Sequence, residues 1–197
     1  MKNPLALLLV LFCCTCAPAQ TTATPQAPLE LETARLHHQR TAMYLLGGWA
    51  VANIGLGLTL RSRTTGALRR FHEMNAIWNT VNLGIAGIGL VSVLRQEPGA
   101  LGAFESLQEN FGLQKVLLFN AGLDVGYIAG GLYLLERARR PEADNDRLRG
   151  YGRSVALQGG FLLAFDLVNY FIAAGRTEAY APLLGVTADG LGLTLTF

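Results

Sequence analysis

Four apolar stretches, 42–60, 74–94, 116–135 and 155–174, alternate with short charged runs, and each approaches the roughly 20 residues a helix needs to cross a hydrocarbon layer about 30 Å thick. The pattern predicts four membrane-spanning helices. Polar residues inside these stretches are not scattered. His72, Asn75, Asn79 and Asn82 follow the rhythm of one helix face; Asn120, Asp124 and Tyr127 do so on the third stretch, and Gln158, Asp166 and Asn169 fall close together on the fourth. Such faces turn toward protein rather than lipid. The fold class expected is therefore all-α, an integral membrane four-helix bundle over residues 30–175.

The two halves share a pattern. WNTVNLGIA at 78–86 aligns without gaps on FDLVNYFIA at 165–173, an offset of 87, and Asn53-Ile54-Gly55 matches Asp124-Val125-Gly126, an offset of 71. With two spans per unit the halves keep the same orientation, so this predicts two parallel two-helix repeats. Asn53 would then correspond to Asp124, and Asn79 to Asp166. Chance similarity between helices of shared vocabulary is the alternative.

The ends read differently. Lys2, the apolar run from Leu5 to Phe12 and Ala17-Pro18-Ala19 make a secretory signal peptide over 1–19, cleaved after Ala19. It would remove Cys13, Cys14 and Cys16, leaving the mature chain without a thiol or disulfide. Residues 20–29 form an extracytoplasmic linker, and a helix should start near Glu30, where Glu30 and Glu32 suit the positive end of its dipole. The tail, 176–197, is not helical in pattern: Leu191, Leu193, Leu195 and Phe197 alternate after the Asp189-Gly190 turn signal, which predicts a short hairpin over 182–197.

At 197 residues, with 51% hydrophobic and 15% charged residues and a mean hydropathy of +0.31, the chain is too apolar for an ordinary soluble domain. The formal charge of +2 is small and its basic residues sit in short clusters, which excludes a nucleic-acid partner and leaves the lipid bilayer as the main one. Arg61, Arg63, Arg69 and Arg70 follow the first stretch, and Arg137, Arg139, Arg140, Arg147, Arg149 and Arg153 follow the third. The positive-inside rule puts both connections in the cytoplasm, hence a bacterial cytoplasmic (inner) membrane protein with both mature termini outside.

The chemistry lies at mid-depth. Asn53, Asn79, Asn82, Asp124, Asp166 and Asn169 could form one buried polar layer, with His72, Asn75, Asn120, Tyr127 and Gln158 as a secondary set. Amides and acids between membrane helices commonly hydrogen-bond across the interface and fix register. Two neighbouring carboxyls with no basic partner can instead share a proton or hold a cation or small polar solute. No cofactor is expected: His37 and His38 precede the first apolar stretch, His72 precedes the second, and no two could ligate a transmembrane haem. No thiolate or histidine cluster suggests a metal, and no nucleophile or phosphate-loop motif suggests an enzyme. Gly122, Gly126 and Gly130 form a small-residue ladder suited to close approach by a neighbouring helix, within the subunit or across a homo-oligomer.

The run FHEMNAIWNTVN at 71–82, set among four spans behind a signal peptide, resembles a group of small uncharacterised bacterial membrane proteins classed only as a domain of unknown function. The resemblance covers the four-span body and implies no activity or catalytic residue. The residues themselves point first to a structural or accessory membrane protein whose polar layer specifies packing. A small proton- or cation-linked transport protein using Asp124 and Asp166 is the alternative.

Overall fold

The computed structural model describes residues 29–141, 144–180, 185–187 and 190–192. The expected signal peptide, its cysteines and nearly all of the linker lie outside the described residues.

Four long helices account for almost everything else: α1 (Leu29–Arg61), α2 (Gly66–Leu94), α3 (Ala103–Arg137) and α4 (Asn145–Tyr180). All four are long and apolar enough to cross a membrane. At 1.5 Å per residue each is about 44–54 Å long, well beyond the hydrocarbon thickness, so the helices project past it by several turns. The short connections make successive helices antiparallel. One end of the bundle, here the upper end, carries the start of α1, the 95–102 connection and the end of α4; the lower end carries the other two connections. At the start of α3 the Gly102 N–H donates to the Glu105 carboxylate at 3.1 Å, which satisfies one of the open backbone donors.

Helix α4 runs on to Tyr180, past the helical boundary expected at 175. Arg176, Thr177 and Tyr180 all bond to neighbouring helices, and that tertiary anchoring carries the helix beyond its apolar stretch. Beyond it, strands β1 (Gly185–Thr187) and β2 (Gly190–Gly192) pair antiparallel, Val186 opposite Leu191. The remainder of 181–197 is outside the described residues.

The inside of the bundle is small or polar and the outside is large and apolar. Ala50, Ala76, Ala86, Ala121 and Ala173 are buried, as are Asn75, Asn79, Asn82, Asp124, Gln158 and Asp166, while Ile88, Phe119 and Phe171 are exposed. Small interior residues let membrane helices approach closely, and apolar exteriors suit lipid. Helix α1 packs on α2, α3 on α4, and the two pairs meet chiefly along α2 and α4. Gly131 shows how tight the α3–α4 seam is: a Cβ there would stand 2.6 Å from Ala156 N and 2.7 Å from Gly152 O. The apolar centre is Ala42, Leu46, Ala86 and Phe165, with Met43, Phe161 and Leu162 against them.

Burial recurs with the two offsets seen in the sequence. Glu32, Arg35, Leu36, Leu46 and Ala50 of α1 are buried, and so, 71 residues later, are Ala103, Ser106, Leu107, Leu117 and Ala121 of α3. Asn79, Asn82, Ala86 and Val93 of α2 are buried, and so, 87 residues later, are Asp166, Asn169, Ala173 and Tyr180 of α4. The correspondence in burial thus reaches beyond the matched words, over 32–50 and 103–121 and over 79–93 and 166–180.

Candidate functional site

The polar residues sort into three groups along the bundle. The lower group is a closed hydrogen-bond network. Asn75 donates to Asn53 Oδ1 at 3.1 Å, and its own oxygen accepts from Ser154 Oγ at 2.7 Å and Gln158 Nε2 at 3.0 Å. Gln158 Oε1 in turn accepts the indole N–H of Trp49 at 3.0 Å, and the Trp49 ring lies flat on Phe161 with centroids 3.9 Å apart. Three helices are tied through side chains whose hydrogen-bonding capacity is largely taken up. This network holds the bundle together and leaves little to offer a ligand.

The upper group spans three helices. Arg176 donates to Asn110 Oδ1 at 2.9 Å and, through its other terminal nitrogen, lies 3.1 Å from His38 Nδ1. Guanidinium can only donate, so Nδ1 accepts; Nε2 then carries the proton and donates to Asn169 Oδ1 at 2.8 Å. His38 is therefore held as the neutral tautomer. Ser106 and Tyr180 share a hydrogen bond at 2.6 Å. Nearby, buried Glu32 pairs with Arg35 at 3.2 Å and accepts the Gly99 N–H at 3.0 Å, while Arg35 also reaches Gln96 Oε1. Glu32 thus fastens α1 to the 95–102 connection, a role its helix-end position did not suggest.

Between them lies the middle group. Asn82, Asn120, Asp124, Tyr127 and Asp166 line one cavity of about 220 Å³ with Trp78 and the apolar Leu46, Val81, Ile85, Leu123, Leu162 and Phe165. The Asp124 and Asp166 carboxyls are within hydrogen-bonding reach of each other. A bond between two carboxyls requires a proton on one of them. Asp124 is 2% exposed and its Oδ2 has no hydrogen-bond partner among the described residues. Trp78 meets Tyr127 edge to face at 4.8 Å, bridging α2 and α3. Asp124 lies eight residues past the start of its apolar stretch and Asp166 eight before the end of its own, about 12 Å below the same boundary.

The single layer expected from the sequence is thus divided. Asp124, Asp166, Asn82, Asn120 and Tyr127 come together; Asn79 joins them through the 3.3 Å bond it accepts from Asn82. Asn53, Asn75 and Gln158 belong to the lower network and Asn169 to the upper one, while the His72 ring sits edge-on to Phe71. Gly122, Gly126 and Gly130 are exposed, with nothing within 4 Å of an added Cβ, so the close approach within the subunit is made at Gly131 instead. Sequence reasoning missed Arg176, Glu32, Arg35 and Ser106, and placed His38 outside the bundle. All lie beyond the apolar stretches. Among the described residues no cluster of three or more His, Cys, Asp or Glu could hold a metal ion.

Fold and site together define a multi-pass helical membrane protein with a carboxyl pair on a mid-bundle cavity. The chain belongs to the family of unknown function DUF6992, whose model matches residues 45–167. That stretch contains the lower network and the cavity residues but leaves out Glu32, Arg35, His38, Asn169, Arg176 and Tyr180 of the upper group. No curated protein and no solved structure matches the chain.

Proposed function

We propose that the protein is a small membrane transport protein in which Asp124 and Asp166 bind a proton or a cation at mid-depth. The observation that carries this reading is the pair of buried carboxyls, Asp124 and Asp166, on one cavity that no Lys, Arg or His lines. Two adjacent buried carboxyls with no basic partner favour sharing a proton or holding a cation. The packing role first expected of the whole layer belongs to Asn53, Asn75, Ser154 and Gln158, which are hydrogen-bonded to one another. We place the protein in a bacterial cytoplasmic membrane with both mature ends outside, as the arginine-rich lower connections favour.

Reconstitution tests the reading. Liposomes with a pH indicator inside should show proton movement on a sodium, potassium or pH jump when they contain the protein. Asp124→Asn/Asp166→Asn should reduce it at least tenfold while the protein stays folded, since Asn keeps the shape and hydrogen bonding of Asp but cannot titrate. Unchanged flux in the double variant at normal expression and thermal stability would refute the proposal.

A further inference from the structure

The cavity has a polar floor and an apolar rim. Asn82, Asp124 and Asp166 are buried, whereas Val81, Ile85 and Leu123, which line the same cavity, are 63%, 54% and 42% exposed. Those rim residues belong to α2 and α3, on the outer surface of a bundle whose exterior faces lipid. A molecule reaching the carboxyls from this side passes through hydrocarbon, and its apolar part can stay there. No Lys, Arg or His lines the cavity.

One cavity residue differs sharply in size from its counterpart in the other half. By the offset of 71, Asn120 corresponds to Trp49. On the α1–α4 side Trp49 lies on Phe161 and bonds to Gln158, filling the space between those helices. On the α2–α3 side the corresponding position holds a much smaller side chain, and the cavity is there instead. Where the first half has an indole, the second has an amide beside the two acids.

We propose that this cavity binds a protonated primary amine carrying an apolar tail, admitted from the bilayer between α2 and α3; the inference rests on the carboxyl pair being a cation site. An ammonium head offers three N–H donors. Asp124 and Asp166 supply two carboxyls to the cavity lining, and Asn82, having turned its NH₂ to Asn79, has its oxygen left to offer. Trp78 and Tyr127 add aromatic surface that attracts cations. At about 220 Å³ the space is below the roughly 300 Å³ at which pockets for drug-sized ligands begin, which fits a small head with its tail left in the rim. The mid-depth position disfavours a phospholipid headgroup, whose phosphate would have to leave the interface.

Quenching of tryptophan by 8-bromooctylamine in detergent-solubilised protein tests this directly, with 8-bromooctanol as a probe of equal tail and no charge. The amine should quench saturably and the alcohol should not, and Trp78→Phe, which retains Trp49, should remove the effect. Asp124→Asn/Asp166→Asn should raise the half-quenching concentration at least tenfold. Asn120→Phe, which fills the cavity and leaves both carboxyls in place, should do the same. Equal quenching by the alcohol, or an amine curve unchanged in both folded variants, overturns the inference. If sodium, potassium or pH jumps drive carboxyl-dependent proton movement but the amine does not quench, the ligand assignment fails and the proton or cation reading stands. Absence of both effects removes the two together.

Discussion

Asn75 joins three helices through one side chain, donating to α1 and accepting twice from α4. Asn75→Leu removes all three bonds and strands Ser154 and Gln158, so it should cost about 1–3 kcal/mol, read as loss of stability in a denaturant titration of the purified protein. Asn53→Leu should cost less, because Gln158 keeps its bond to Asn75. Asp124 and Asp166 were legible in the sequence because a charge inside an apolar stretch stands out against its neighbours. Their separation from Asn53 was not, since depth counted along each helix gives no relative rotation or stagger between helices. Arg176 and Glu32 were illegible for a simpler reason: outside the apolar stretches a charged residue reads as solvated. Only the length of the helices, which keep packing beyond the hydrocarbon zone, makes them interior.

At the scale of elements, apolar length and flanking charge were enough to place four helices, and the seams between them depended on which glycines face a neighbour. The sequence ladder Gly122, Gly126 and Gly130 is regular but points outward, whereas Gly131, one residue on, meets the backbone of α4. Gly131→Ala should therefore push α3 off α4 and destabilise the protein by about 1–3 kcal/mol. Gly126→Ala should leave subunit stability unchanged or improve it, since Ala favours a helix over Gly by about 1 kcal/mol. Thermal unfolding of the two variants side by side checks the contrast. If Gly126→Ala instead changes the apparent mass in size-exclusion chromatography, the outward ladder serves contact between copies of the chain.

For the whole molecule, orientation follows from the arginines gathered at the lower end. Positive-inside bias predicts that an alkaline phosphatase reporter fused after Phe197 is active, and that the same reporter in the 138–144 connection is silent. An active reporter in that connection would invert the topology. The correspondence between halves was legible only in two short words, and burial extends it to positions whose residues differ in size and chemistry, such as Arg35 and Ser106 or Val93 and Tyr180. Asn53 and Asn79 are amides where Asp124 and Asp166 are acids.

Were the two offsets the trace of a duplicated two-helix unit, a consequence for descent would follow. A hairpin whose loop carries the arginines is held to one orientation by the positive-inside bias, and its buried α2 face can meet a copy of itself across a two-fold axis. A half-length ancestor could thus have assembled as a symmetric pair without any copy adopting the opposite topology. Fusion into one chain removes the requirement that both copies be identical. One hairpin is then free to keep amides and an indole that hold the assembly shut, and the other to acquire acids and an open flank, a division of labour that a dimer of equal subunits cannot encode.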